Sequence, residues 1–375
     1  VKFEGPEPRR PVDILLYIHS FVGGGAERIT LQLANYWRQQ GKSVVMVVNR
    51  DVGTLRPQLD LEVPVVILES AKAFLAFLPL GRLLRRLQPR ISIAALTTCN
   101  ISAGFARLWS RSSGKLLLVE HADLGLSLPA GPPLLRWFYR IAMPLAYRGA
   151  SHLSGVSIDA ARHSARVAKL PNSKVAVLHN PVWPNRTSDR PAAEVHRWLG
   201  GAEPVFVAAG RLMPQKNYFN LLEAFAEFRR RRPAKLIILG LGPLLELLRE
   251  RARMLEIEGH VDFVGFRNDV ADFLRWSNCF VLSSDHEALP LVLLEALQHP
   301  IGIVSTACSS GPGEILEDGR HGILVPVRDA HALADAMEAA LTMPVDRIER
   351  DRVLAHYSIE AAASRYLAHL GEAGP

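Results

Sequence analysis

The feature that most limits how this chain can fold is an alternation. Short runs of β-branched and aliphatic residues are followed repeatedly by amphipathic stretches of helical period. Residues 12–19 read as a strand, 26–40 as a helix and 43–49 as a strand, and a change from unbroken apolar runs to a 3.6-residue period marks a βαβ unit. Further strands are expected at 91–96, 115–120 and 152–156, with helices near 80–87, 101–109 and 133–147. Strands this continuously apolar are buried on both faces, as in a parallel sheet covered by helices. The expected class is α/β, doubly wound.

The pattern breaks over 180–191, where prolines and turn formers carry neither period, so this run reads as a linker. It then restarts, with strands expected at 204–209, 235–239, 261–264, 279–283 and 301–305 and helices at 217–231 and 243–255. A chain of 375 residues exceeds what one core usually supports. Three segments are expected: a Rossmann-like domain over 1–182, a second over 183–355, and a terminal helix over 356–375 packing back on the first. The two domains are expected to face a central cleft. Ligands of such sheets sit beyond the carboxyl ends of the strands, so the loops after strands are where chemistry is sought.

Composition narrows the function classes. Cys99, Cys279 and Cys308 are far apart and lack C-x-x-C spacing, which argues against a disulfide framework or a thiolate zinc site and fits a reducing cytoplasm. The start, 1–11, is polar and proline-rich, and no apolar run reaches about 18 residues, so neither a secretory signal nor a membrane span is expected. The net charge of +7 and pI near 9.5 call for an anionic partner. The basic residues read as scattered, without an aromatic-basic stacking platform, so nucleic acid is not expected.

Five loops are candidates for chemistry. Gly210, Arg211 and Lys216 follow the first strand of the second half; glycine permits close backbone approach, and two cations five apart at a strand end can hold a diphosphate. The segment Glu287-Ala-Leu-Pro-Leu-Val-Leu-Leu-Glu295 follows another strand and opens a helix, with Pro290 expected in its first turn. The amides around Ala288 and Leu289 are then placed at a helix amino terminus, which favours phosphate oxygens. Glu287 in the loop and Glu295 on the Leu291 face of the helix are acceptors suited to sugar or ribose hydroxyls; a capping residue and a surface residue are the plain alternative. Gly311 and Glu314, after Ser309-Ser310, form a secondary loop. Gly23, Gly24 and Gly25 join the first strand to the first helix, where such folds cradle phosphate, and His121 ends another strand of the first half. Neither this loop nor Gly240-Leu-Gly242 has G-x-G-x-x-G spacing, which weakens a dinucleotide reading.

In order, Gly23-Gly-Gly-Ala-Glu-Arg28, His121, Gly155-Val-Ser157, His179-Asn-Pro181, Gly210-Arg211 with Lys216, Glu287 to Glu295, Gly311-Pro-Gly-Glu314 and Gly322-Ile-Leu-Val-Pro326 resemble the retaining GT-B glycosyltransferases of family 4. The resemblance covers nearly the whole chain. It implies a nucleotide-sugar donor, of UDP type, bound mainly by the second domain, and a glycan or lipid-linked acceptor at the first. It implies Arg211 and Lys216 on the diphosphate, Glu295 on the ribose, Glu287 on donor-sugar hydroxyls, a polar contact from His121, and the Gly24 to Gly25 loop closing over phosphate. No cofactor and no metal are expected, since no Asp-x-Asp site stands at a strand end. The sequence departs from the family pattern at Ala288, at Ser309-Ser310 and at His299-Pro300.

The segments 80–87 and 134–143 mix apolar and aromatic residues with arginine. Both are candidates for a peripheral contact with an anionic membrane, which places the protein in the cytoplasm at the inner membrane face; sheet-covering helices with snorkelling arginines are the alternative. The expected role is cell-envelope glycan synthesis, of lipopolysaccharide or exopolysaccharide type. Rival readings are a nucleotide-sugar epimerase and a non-catalytic nucleotide-binding module.

Overall fold

A computed structural model describes residues 1–5, 11–22, 24–70, 73–124, 132–182, 187–309 and 311–372. The chain divides into two compact units, Val1–Pro181 with Tyr357–Pro375, and Val182–His356.

The first unit carries strands β1 (Lys2–Glu4), β2 (Ile14–Ile18), β3 (Val44–Val48), β4 (Val65–Ile67), β5 (Ile91–Ala95), β6 (Lys115–Glu120), β7 (His152–Gly155) and β8 (Val175–Val177). Its helices are α1 (Gly25–Gln39), α2 (Phe77–Leu87), α3 (Thr97–Ser110), α4 (Pro133–Ala146) and α5 (Ile158–Ala168). The sheet order is β1-β4-β3-β2-β5-β6-β7-β8, parallel except where β1 pairs antiparallel with β4. Every residue of β2, β3 and β5 is buried, the signature of strands covered on both faces.

The second unit begins with the short α6 (Ala192–Val195) and continues β9 (Val205–Ala209), α7 (Tyr218–Arg231), β10 (Lys235–Leu239), α8 (Leu245–Met254), β11 (Val261–Gly265), α9 (Val270–Trp276), β12 (Cys279–Leu282), α10 (Leu291–Leu297), β13 (Gly302–Thr306), α11 (Gly311–Ile315), β14 (Ile323–Val325), α12 (Ala330–Ala340) and α13 (Arg347–His356). Its all-parallel sheet runs β11-β10-β9-β12-β13-β14. Strand order therefore reverses between β9 and β12, and in the first unit between β2 and β5.

After α13 the chain returns to the first unit as α14 (Ile359–His369). There the Tyr366 ring meets Trp37 of α1 edge to face at 6.2 Å, Glu372 pairs with Arg90 at 3.0 Å, and Lys115 donates to the Leu370 carbonyl.

Several expectations shift. β6 and β10 fall at the expected limits, most other strand and helix limits move by a residue or more, α2 and α3 start earlier, at Phe77 and Thr97, and the three-residue strands β4, β8 and β14 were not foreseen. Lys2–Glu4 forms an edge strand inside the stretch read as polar; three residues are too few to show a period. The antiparallel β1 means that the first sheet is not wholly parallel. Pro290 is the N-cap of α10 rather than a first-turn residue. α5 and α12 were not foreseen because their buried faces are largely alanine, at 160, 161, 165 and 168 in one and at 334, 336 and 340 in the other. Their starts are marked instead by Ser157 and Asp329, whose side chains accept from Ala160 and Ala332. Of the proline-rich linker, residues 183–186 lie outside the described residues.

Arg350 holds α13 to the second unit. It is buried, and its guanidinium donates to the carbonyls of His299 at 2.9 Å, Ile301 at 3.0 Å and His321 at 3.0 Å. Arg350→Met leaves these carbonyls without their donor and is expected to lower the unfolding free energy by about 3 kcal/mol; a urea midpoint unchanged from wild type overturns this. His299 is buried beside the same staple, and burial foremost, then Arg275 and Arg347 against the pull of Asp272, pushes its pKa from 6.5 down to about 4. Between those values the unfolded chain binds the extra proton, so stability is retained above pH 6.5 and is lost as pH falls toward 4. Melting temperatures across this window are expected to fall less steeply in His299→Gln.

Candidate functional site

Two loops meet at the strand-order reversal of the second sheet. One leaves the carboxyl end of β9 as Gly210-Arg211 and closes in a short 3-10 turn, Pro214–Lys216, before α7. The other leaves β12 and runs over 283–290 to α10. Because β9 and β12 are parallel neighbours whose crossover helices lead away in opposite directions, their loops share one edge of the sheet.

At that edge Lys216 Nζ donates to Glu287 Oε1 at 2.6 Å, and Ser284 Oγ donates to the same oxygen at 2.6 Å. Both charged side chains are largely sheltered, with 17% and 9% exposure. The backbone around them is tied across the loops: Asp285 N–H donates to the Gln215 carbonyl, Gln215 Nε2 to the His286 carbonyl, and Ser283 Oγ to the Lys216 carbonyl. Asp285 is the second anchor. Its Oδ1 accepts from Asn217 Nδ2 at 2.7 Å and its Oδ2 from Arg328 at 3.0 and 2.8 Å. Asn217 sits in the left-handed region at φ 44°, and its side-chain oxygen caps α7. Thr306 Oγ1 donates to the Ser284 carbonyl from the end of β13.

Arg211 is exposed and makes no ion pair among the described residues, so its charge faces solvent beside the sheltered Lys216–Glu287 pair. The two cations thus differ: one is already neutralised by a carboxylate, the other is open. Glu295 lies half-buried on the same side of α10 as Leu291. Ala288 is half-buried and Leu289 buried in the loop. A Cβ built on Gly311 lies 2.8 Å from the Ala288 carbonyl oxygen and 2.8 Å from Pro290 Cδ, so the secondary loop packs directly on the 283–290 loop. Glu314 is half-buried one turn further; Ser310 lies outside the described residues.

Gly240 and Gly242 have a structural reason. A side chain at Gly240 strikes the Gly210 carbonyl oxygen, and one at Gly242 strikes the Leu212 carbonyl. These glycines let the loop after β10 lie flat on the loop that carries Arg211, so they serve loop packing rather than a dinucleotide fingerprint.

In the first unit, Gly24 is the N-cap of α1 and Gly25 its first residue; Gly23 lies outside the described residues. The Glu27 carboxylate folds back against Gly24, placing an anion over the helix amino terminus, where the dipole favours it. His121, just past β6, is held by burial at a pKa of about 4, so its ring is neutral near pH 7. Its Nδ1 is buried without a hydrogen bond among the described residues. The preceding Glu120 went unforeseen: it is fully buried, accepts from Thr97 at 2.7 Å, Asn100 at 2.8 Å and Tyr147, and burial raises its pKa. These donors come from α3 and the turn after α4, so Glu120 fixes the strand end on which His121 stands.

The structure therefore brings Lys216, Glu287, Ala288 and Gly311 together in the second unit; Gly24, Gly25 and His121 belong to the first unit. Gln215, Asn217, Asp285 and Arg328 position the loops and were missed. Only Asn217, a good N-cap residue ahead of an amphipathic run, carried a local signal.

Two family models account for most of the chain: residues 23–186 match Glycosyltransferase Family 4, and residues 197–360 match Glycosyl transferases group 1. The chain belongs to glycosyltransferase family 4. This family-4 chain is 33% identical over 169 residues to the lipopolysaccharide core biosynthesis glycosyltransferase LpsE of Rhizobium meliloti, a match that takes in 44% of this chain and 48% of that protein. It thus spans about half the length of that curated relative. It is 26% identical over 341 residues, 88% of each chain, to a Campylobacter jejuni alpha-1,4-N-acetyl-D-galactosaminyltransferase whose name gives an undecaprenol-PP-linked acceptor. A crystal structure of Anabaena HepE in complex with UDP and glucose superposes with a TM-score of 0.79 at 19% identity, covering 96% of this chain and 99% of that one. At that identity the likeness carries the fold, two Rossmann-like domains of the GT-B class.

In this family-4 chain the Lys216–Glu287 pair is expected to be energetically coupled. In a double-mutant cycle with Lys216→Met and Glu287→Gln, each single change leaves a sheltered polar group without its partner, and the double variant is expected to recover about 1–3 kcal/mol relative to additivity. Urea unfolding of the four proteins measures it, and additive losses overturn the pairing as a significant interaction.

Proposed function

We propose that this glycosyltransferase moves a hexose or N-acetylhexosamine from a UDP-linked donor to a lipid-linked or polysaccharide acceptor in envelope glycan synthesis, with retention at the anomeric carbon. The observation that carries the reading is the sheltered Lys216–Glu287 pair beside the open Arg211 at the β9–β12 reversal. Such a pairing offers cations for a diphosphate and acceptor oxygens for hydroxyls within one loop pair. The Rhizobium and Campylobacter relatives support the envelope assignment, and the HepE complex supports UDP as the nucleotide.

In this reading Arg211 and Lys216 neutralise the diphosphate, with Lys216 exchanging part of its bond to Glu287 for phosphate oxygen. Glu287 then accepts from donor-sugar hydroxyls. Glu295 accepts from the ribose, while the amides of Ala288 and Leu289 face phosphate oxygen. Gly311 and Glu314 support the loop from behind. The bond from the anomeric carbon to phosphate breaks as the acceptor oxygen bonds on the same face, and the acceptor proton passes to the departing phosphate. The protein's part is stabilisation of the leaving charge, usually the largest catalytic contribution. His121, neutral and in the first unit with the Gly24 to Gly25 loop, supplies a polar contact rather than a charge. No metal enters this scheme.

The test is transfer from a panel of nucleotide sugars to polyprenyl-diphosphate and oligosaccharide acceptors in EDTA, with product configuration read by NMR. Transfer with retention is expected. Loss of activity in EDTA that magnesium restores overturns the cation assignment, and conversion of the donor sugar without acceptor favours an epimerase. Glu287→Ala is expected to cut turnover by at least about a hundredfold, whereas Glu295→Ala mainly raises the donor KM; the reverse split sinks the division of roles.

A further inference from the structure

The chain's positive charge is not spread evenly. Residues 71–170 hold fourteen lysines and arginines against three acids, Glu120, Asp123 and Asp159. That is a net +11 against +7 for the whole protein, so the rest of the chain is net negative. Two of the three acids are buried, and the third pairs with Arg162 at 2.8 Å. The basic residues that read as scattered in sequence are therefore concentrated on one stretch of the first unit.

That stretch includes α2, α3, α4 and α5, with α3 packed against both α2 and α4, and α4 against α5. The two segments singled out by sequence part company here. In α2 the leucines at 80, 83, 84 and 87 are buried and only the arginines at 82, 85 and 86 are exposed. In α4 the outer face is itself apolar: Leu134, Trp137, Ile141 and Leu145 are 77%, 64%, 44% and 44% exposed. Their spacing of three, four and four places them in one line along the helix. Exposed Arg140 and Arg148 flank this ridge, and the neighbouring α5 turns Arg166 and Lys169 outward.

We infer that the α4 ridge with its basic collar is a docking surface for an anionic lipid bilayer. A helix that presents large aliphatic residues and tryptophan, rimmed by arginine, suits a shallow seat at the boundary of headgroups and acyl chains, with the collar on lipid phosphates. Self-association through the ridge brings two basic collars together, and nucleic acid gains little from aliphatic side chains that neither stack nor donate. In the parallel β6–β7 crossover, α4 runs back from the carboxyl edge of the sheet. Its Leu134 end thus lies on the edge where His121 stands, so a docked bilayer is brought toward that edge. The inference deepens the lipid-linked reading of the acceptor and rests on it only for its purpose; the surface itself is defined by charge and exposure.

Vesicle flotation of the full chain tests it. Vesicles with about one-third phosphatidylglycerol are expected to bind about tenfold more protein than phosphatidylcholine alone, and high salt to reduce that excess. Trp137→Ser with Ile141→Ser is expected to weaken binding about tenfold, and Arg166→Glu with Lys169→Glu to remove the preference for anionic vesicles. Circular dichroism and melting of both variants verify folding. Both are expected to keep transfer to a detergent-dispersed acceptor, which separates failure of docking from failure of the proposed reaction. Equal binding to neutral vesicles, folded variants that float like wild type, a ridge-dependent dimer, or stronger binding to single-stranded oligonucleotide overturns the assignment.

Discussion

Parallel strand pairing between β9 and β12 is the constraint from which the site follows. Parallel neighbours need crossover helices, and those helices lead away on opposite sides of this pair, so the two strand ends open together without a helix between them. A loop from each strand then reaches the other. The Lys216–Glu287 bond, the Asp285 N–H bond to the Gln215 carbonyl and the Gln215 side-chain bond to the His286 carbonyl are consequences of that adjacency. Between residues separated by 71 positions, no local propensity produces such a contact. The sheet does.

The rest of the second unit serves to keep this edge rigid. Asp285 uses both carboxylate oxygens on Asn217 and Arg328, so the loop after β12 is tied at once to the start of α7 and to the turn after β14. Gly240 and Gly242 let a third loop press on the first from the side. Arg350 gathers three carbonyls that α10, β13 and β14 leave near their ends, which fixes the same layers from the opposite direction. A buried guanidinium is costly without partners and strongly directional with them, so it specifies geometry as well as stability.

What could be read in the chain beforehand divides along the same line. The alternation of apolar runs and amphipathic stretches reveals most strands of both sheets, because burial on two faces leaves a mark on every residue of β2, β3, β5, β9 and β13, but it misses β4, β8 and β14, each of three residues. The loops after β9 and β12 were identifiable because a Rossmann-like sheet places chemistry at strand ends. Helices with alanine faces, such as α5, leave no such mark, and neither does the three-residue β1. Glu287 and Lys216 were each singled out for ligand contacts, yet nothing in their spacing says that they bond to each other. Glu120 and Arg328 were invisible for the same reason: their partners, Thr97, Asn100 and Tyr147 for one and Asp285 for the other, are set by tertiary packing.

Charge placement adds a step that neither the strands nor the loops supply. A protein with a uniform excess of +7 would attract anions weakly from all sides. Here the excess belongs to residues 71–170, while the remainder is net negative, so attraction to a charged surface also orients the molecule. In the first unit the long parallel crossovers expose arginine on the outer faces of α2 and α5, while the buried Glu120 and Asp123 project inward from the sheet edge. His121 stands between those two acids and stays neutral because burial, not a nearby cation, lowers its pKa. The strand end at His121 thus carries a neutral ring, while arginine is exposed on helices of the same unit.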